Sequence, residues 1–219
     1  KAVAAYHEAL RRILLPRLLL RLEAVMNENI GNPLAVYEPL KIYLMFGGQR
    51  PGGVDAGAVR GWVKADWANA SYPGADRADL RRRLALHLDA LLEDEDMASV
   101  WPNRQAPLDG NIIMAARTAV QTMSVADRAY AILRQKAMAE GGAPWSAATI
   151  LSGGDAQAFA NGPSVLQLQV PFFFTRAGFE KSYQTGLLTV QKDLEDDLWV
   201  LGQDADTTMI REQIGGVRP

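Results

Sequence analysis

At 219 residues, 48% of them hydrophobic and 22% charged, the chain can bury one large core or two small ones and lies far from the disordered and fibrous classes. Its 23 Lys and Arg against 25 Asp and Glu leave a formal charge of −2, so no net field is available to hold nucleic acid or an anionic membrane surface. With no cysteine, disulfides, thiolate zinc sites and cysteine nucleophiles are excluded, while the compartment stays open.

The opening stretch sets Leu10, Leu14, Leu18, Leu22 and Val25 at steps of three and four, one apolar helical stripe with Arg11, Arg12, Arg17 and Arg21 as its solvated shoulders. Pro16 removes a helical donor and crowds the preceding turn, which predicts a kink near residues 12 to 16. Asn32-Pro33 is a helix start, Gly47-Gly48 a stop after Phe46, and Pro39 a distortion between them. Asp55 is placed to cap a helix bearing Val59, Trp62, Val63 and Trp67. After the Tyr72-Pro73-Gly74 break come Leu80, Leu84, Leu88 and Leu91, and beyond the linker bracketed by Pro102 and Pro107 come Ile112, Ile113, Ala116, Val120 and Met123. Ser124 with Asp127 predicts a capping box opening a sixth helix, which ends near Gly141-Gly142.

From Pro144 the texture changes. Val165 to Val170 alternate apolar and polar, as a strand with one wet face does, and Pro171 ends them. A last helix carries Phe179, Tyr183, Leu187, Val190, Leu194 and Leu198 on one face and stops at Gly202, with a polar tail beyond. The expected fold is mainly α: an antiparallel multi-helix array with a short β element near residues 164–171 before the last long helix. Expected domains are a helical region over 1–142, a strand-and-loop region with its long helix over 143–202, and a linker over 203–219.

Chemical motifs fail one by one. Gly48 to Gly53 has phosphate-loop spacing, but Val54 and Asp55 stand where Lys and Ser or Thr are required, so it reads as a turn, as does Gly153-Gly154. His7 and His87 lie on separate helices without i+4 partners, so they read as an exposed residue and a hydrogen-bonded core residue rather than a metal pair. Glu93-Asp94-Glu95-Asp96 lacks calcium-loop spacing and reads as a solvated helix end. Asp193, Asp196 and Asp197 read as an outward polar face rather than a glycosidase pair. No G-x-S-x-G is present, and Arg81-Arg82-Arg83 is neutralised by Asp76, Asp79 and Asp89.

Two blocks point to a family. The run Leu15-Pro16-Arg17-Leu18-Leu19-Leu20-Arg21-Leu22-Glu23, followed by Tyr37 to Gly47, resembles the central homology region of TssM/IcmF proteins. The segment Val170-Pro171-Phe172-Phe173-Phe174-Thr175-Arg176-Ala177-Gly178-Phe179, followed by Trp199-Val200-Leu201-Gly202, is similar to a second region of the same family. The resemblance implies a periplasmic piece of the inner-membrane core protein of type VI secretion. It also implies a complex with other copies, with TssL and with the lipoprotein TssJ, and a β-rich domain beyond the linker. It carries over no catalytic residue, cofactor, metal or small-molecule substrate. The chain opens on Lys1 without a leader and has no apolar run near the ~20 residues of a bilayer span, so it reads as an excised segment that does not itself insert.

The triplet Phe172-Phe173-Phe174, with Thr175, Arg176 and Phe179, is the candidate interaction patch. Three successive rings cannot all face one core direction, so at least one is wedged as a plug between subdomains or offered to a partner. The expected function is a non-catalytic scaffold for assembly. The alternatives are a helical module that captures an envelope partner and, less favoured, a cell-wall glycan hydrolase, which needs a cleft with two facing carboxylates.

Overall fold

The computed structural model describes residues 2–140, 144–159, 162–202 and 212. In chain order the helices are α1, Ala2–Ala9; α2, Leu15–Glu28; α3, Pro33–Phe46; α4, Ala56–Asp66; α5, Ala78–Leu92; α6, Gly110–Gln121; and α7, Val125–Glu140. Strand β1, Trp145–Ser146, short α8, Gly153–Ala156, and β2, Gln169–Val170, come next, and α9, Arg176–Gly178, α10, Gln184–Asp196, and α11, Leu198–Leu201, close the described chain. The fold is mainly α, as the spacing of glycine, proline and caps predicts. The expected stop at Gly141-Gly142 and the tail beyond Gly202, residue 212 apart, lie outside the described residues.

The chain divides into two compact units, residues 1–123 with 199–204, and residues 124–198 with 205–219. In the first, α3 packs against α2, α4 and α6, and it is buried nearly all round, from Val36 and Leu40 to Tyr43, Leu44 and Phe46. Leu15, Leu22 and Met26 of α2, Val59 and Val63 of α4, Leu88 and Leu91 of α5, and Ala116 and Val120 of α6 complete the core with Val200 and Leu201. Each of these Leu, Val and Met side chains contributes about 1.5–3 kcal/mol relative to exposure. Asp55 caps α4 by accepting from the Ala58 amide, and Asp109, unmarked by the sequence reading, caps α6 through the Asn111 amide.

The expected kink before Pro16 is a π-helical turn, Leu10–Leu14, closed by the Leu15 amide on the Leu10 carbonyl. Widening the helix there relieves the proline ring, which sits in the first turn of α2. A second π-turn, Trp67–Ser71, extends α4.

In the second unit, Ala129, Leu133 and Ala137 of α7 pack with Phe173, Tyr183, Val190, Leu194 and Leu198. Ser124 accepts from the Asp127 amide and donates to its carboxylate, so the predicted cap holds. The β element is narrower than expected: residues 162–167 form a 3-10 turn, and only Gln169–Val170 pair, antiparallel to Trp145–Ser146. The alternation of Val165 to Val170 fails because Leu168 donates back to the Val165 carbonyl, coiling the segment. Gly153-Gly154 open a single helical turn, with Ser152 and Asp155 forming a reciprocal capping box.

Candidate functional site

Leu14 and Leu18 on one side, Trp62, Val63 and Trp67 on another, and Tyr72 and Leu84 across from them enclose a cleft of about 230 Å³ in the first unit. Its polar edge is Arg17, Arg21, Asp66 and Ser71. Arg21 is not a solvated shoulder. Its Nε and Nη2 reach the Asp66 carboxylate at 2.8–3.2 Å, and Ser71 donates to the same carboxylate at 2.7 Å. The hydrogen bond to Asp66 and that carboxylate's charge hold the guanidinium above its ordinary value against its own burial. Asp66 is therefore neutralised within the wall, and Arg17 stands exposed at the mouth. The two π-turns of the first unit border the cleft, contributing Leu14 on one side and Trp67 and Ser71 on the other, while a third, Phe179–Tyr183, lies in the second unit.

Two tethers stabilise the same unit. Fully buried Tyr43 donates to Glu23 Oε1 at 2.5 Å and accepts from the Asp109 amide at 2.9 Å. Burial first, and the Glu23 carboxylate second, push its phenol pKa upward, so it stays a neutral donor. Arg117 donates through Nε to the Val200 carbonyl at 2.8 Å and through Nη2 to Gln49 Oε1 at 3.0 Å and the Trp199 carbonyl at 3.4 Å. Burial lowers its pKa. A Cβ at Gly202, where φ is +66°, would meet the Arg117 guanidinium at 2.9 Å. The sequence signal for Arg117 was slight, a lone charge among the alanines and aliphatics of α6.

The aromatic triplet divides its work. The three rings sit on a 3-10 turn, with Phe172 half-buried, Phe173 6% exposed and Phe174 50% exposed. Phe173 meets Tyr130 edge-on at 5.7 Å and joins the second unit's own core. Thr175 caps α9 by accepting from the Gly178 amide at 3.1 Å and donates to the Phe172 carbonyl at 2.6 Å. Phe179 stacks on Tyr183 at 5.1 Å, and exposed Arg176 pairs with Glu180 at 2.9 Å. Of the six patch residues, Phe173 and Phe179 face inward, while Phe174 and Arg176 face solvent.

Several polar residues differ from expectation. His87 is exposed and shares a 2.8 Å hydrogen bond with the Tyr6 hydroxyl, whereas His7 is half-buried, 3.3 Å from Asp94. Asp94 is not a solvated helix end: its side chain is 8% exposed and accepts from Arg11 at 2.7 and 3.3 Å and from the Asp96 amide at 3.0 Å. Burial raises its pKa, but Arg11, the Asp96 amide and His7 more than offset that and hold the carboxyl below its ordinary value. Asp197 is buried rather than outward, while Asp193 pairs with Lys136 and Asp196 with Lys192. The cleft holds one carboxylate, Asp66, not two that face each other. Among the described residues no group of His, Asp or Glu is arranged to hold a metal ion, and no helix is long and apolar enough to cross a membrane.

A family profile described as "IcmF-related: Intracellular multiplication and human macrophage-killing" matches residues 1–216. The chain belongs to the IcmF-related family. It is similar to the "Type VI secretion system component TssM1" of Pseudomonas aeruginosa, with 29% identity over 206 residues, which are 93% of this chain. The chain spans 18% of that relative's length. No solved structure matches it. Within this IcmF-related chain, the blocks that carry the family resemblance coincide with internal architecture. Arg21 and Glu23 anchor the first, Tyr43 the next, and Thr175 and Gly178 the third, while the Trp199 to Gly202 block is gripped by Arg117.

Proposed function

We propose that this chain is a non-catalytic structural segment of a type VI secretion component, a helical scaffold in the periplasm within the trans-envelope core complex. The observation that carries the reading is the use of the family blocks. Most of their polar groups close elements onto one another, through Tyr43 with Glu23, Arg21 with Asp66 and the Val200 carbonyl with Arg117 of α6, and Arg17 is the one left exposed at the cleft. The similarity to a TssM1 component along most of the chain supports the assignment to that machine. The partners in this reading are other copies of the same protein, TssL and TssJ.

Two measurements test it in the whole protein in cells. Leu188, exposed on α10, is changed to Cys and probed with a membrane-impermeant maleimide in spheroplasts; this chain contributes no other cysteine. Labelling of intact spheroplasts at Cys-dependent sites is expected, and labelling only after lysis refutes the periplasmic assignment. Val200→Asp, which loads a charge into the core, is expected to abolish complex assembly and secretion together. An assembled complex that no longer secretes would point to chemistry instead. The cleft beside Arg17 favours a second role, capture of a partner.

A further inference from the structure

We propose that the cleft and the outer face of α2 form a docking site for an acidic, apolar peptide segment of a partner protein, with Arg17 taking its carboxylate. The inference stands on the cleft and its charges and does not depend on the scaffold reading.

Charge comes first. Among the described residues of the first unit, the other arginines are each engaged. Arg11, Arg12, Arg21, Arg50, Arg60, Arg77, Arg82, Arg83 and Arg104 pair with carboxylates, and Arg81 and Arg117 donate to backbone carbonyls. Arg17 alone has neither kind of partner and is exposed. With Arg21 and Asp66 cancelling each other, the mouth of the cleft keeps one uncompensated positive charge, which complements a single carboxylate.

Shape and apolar surface say what carries that carboxylate. At about 230 Å³ the cleft is smaller than the ~300–1,000 Å³ of drug-sized ligand sites and fits a bulky side chain between Leu18, Trp62 and Leu84. On the other flank of Arg17, one helical step each way, Ile13 and Leu20 are 56% and 63% exposed. A partner segment lying along α2 and the π-turn before it would cover both, set its acid on Arg17 and drop one apolar side chain into the cleft. Two of the three π-turns among the described residues, Leu10–Leu14 and Trp67–Ser71, border this cleft, and such turns are frequent at functional sites.

The test uses two capped peptides, acetyl-Leu-Glu-Phe-Leu-amide and its glutamine counterpart, titrated into the ¹⁵N-labelled full chain. Saturable shifts are expected at the Trp62 indole N–H and on Ile13 and Leu20, with the glutamate peptide binding about two- to fivefold tighter, as exposed ion pairs give. That preference should vanish in Arg17→Gln, shrink at high salt and persist in Arg12→Gln. Arg17→Glu should prefer the corresponding lysine peptide. An unmoved Trp62 indole, equal binding of the glutamate and glutamine peptides, or a preference that survives Arg17→Gln would each overturn the proposal.

Discussion

The same substitution should act with opposite signs at two glycines. Gly178 lies in right-handed helical backbone, so its role is not conformational freedom. A Cβ there would stand 1.9 Å from the Phe172 carbonyl oxygen, 2.7 Å from its carbon and 2.9 Å from Phe173 Cα, against the ~3.3 Å at which carbon and oxygen normally meet. The obstacle is backbone, which cannot rotate aside, so Gly178→Ala must displace the aromatic turn from α9. Overpacking of this kind costs about 1–3 kcal/mol, and a helix-propensity gain of up to about 1 kcal/mol offsets only part. Gly61, exposed in α4, has nothing within 4 Å of its Cβ position, so Gly61→Ala should stabilise by about 0.5–1 kcal/mol. Hydrogen exchange reads each unit separately: slow amides of α10 report the first change and those of α4 the second. A net loss of 1–2 kcal/mol at Gly178 corresponds to about a five- to thirtyfold drop in protection. Unchanged or raised protection in Gly178→Ala would refute the close-approach argument.

Phe173→Ala should cost about 3–5 kcal/mol and Phe174→Ala less than about 0.5 kcal/mol, measured by urea denaturation, because one ring is in the core and the other half in solvent. Arg117→Ala strands the Val200 carbonyl and should destabilise the first unit by about 1–3 kcal/mol, seen as faster exchange in α6. Asp94 contributes pH dependence of a definite sign. Its folded pKa lies below the unfolded value of ~3.9, so its stabilisation is complete above that value and is lost as pH falls through the folded one. Thermal melts of Asp94→Asn should therefore be lower than wild type at neutral pH and converge with it in acid.

What the sequence revealed was what neighbours in the chain decide. Helix α3 runs from Pro33 to Phe46 as Asn32-Pro33 and Gly47-Gly48 predict, and α4 starts at its Asp55 cap, because caps and breakers act within a turn. Long-range pairing was hidden. His7 and Asp94 are far apart in sequence, and nothing local to either announces their contact, whereas the leucines beside His87 suggested a core position that its helix does not give it. The cleft illustrates the same limit. Trp62 and Trp67 were legible as one face of a helix and Arg17 as a polar shoulder, but only the fold brings them to one opening with Asp66 and Leu84. The π-turns were legible only as an expected kink at Pro16, since their width depends on what packs around them.

The return of Trp199 to Leu201 into the core that residues 1–123 build makes the first unit discontinuous along the chain. Its interior is complete only when Val200 is buried and its carbonyl is held by Arg117, so a chain that stops short of Trp199 lacks part of that core. Full packing of the first unit therefore follows synthesis of the span from Ser124 to Leu198.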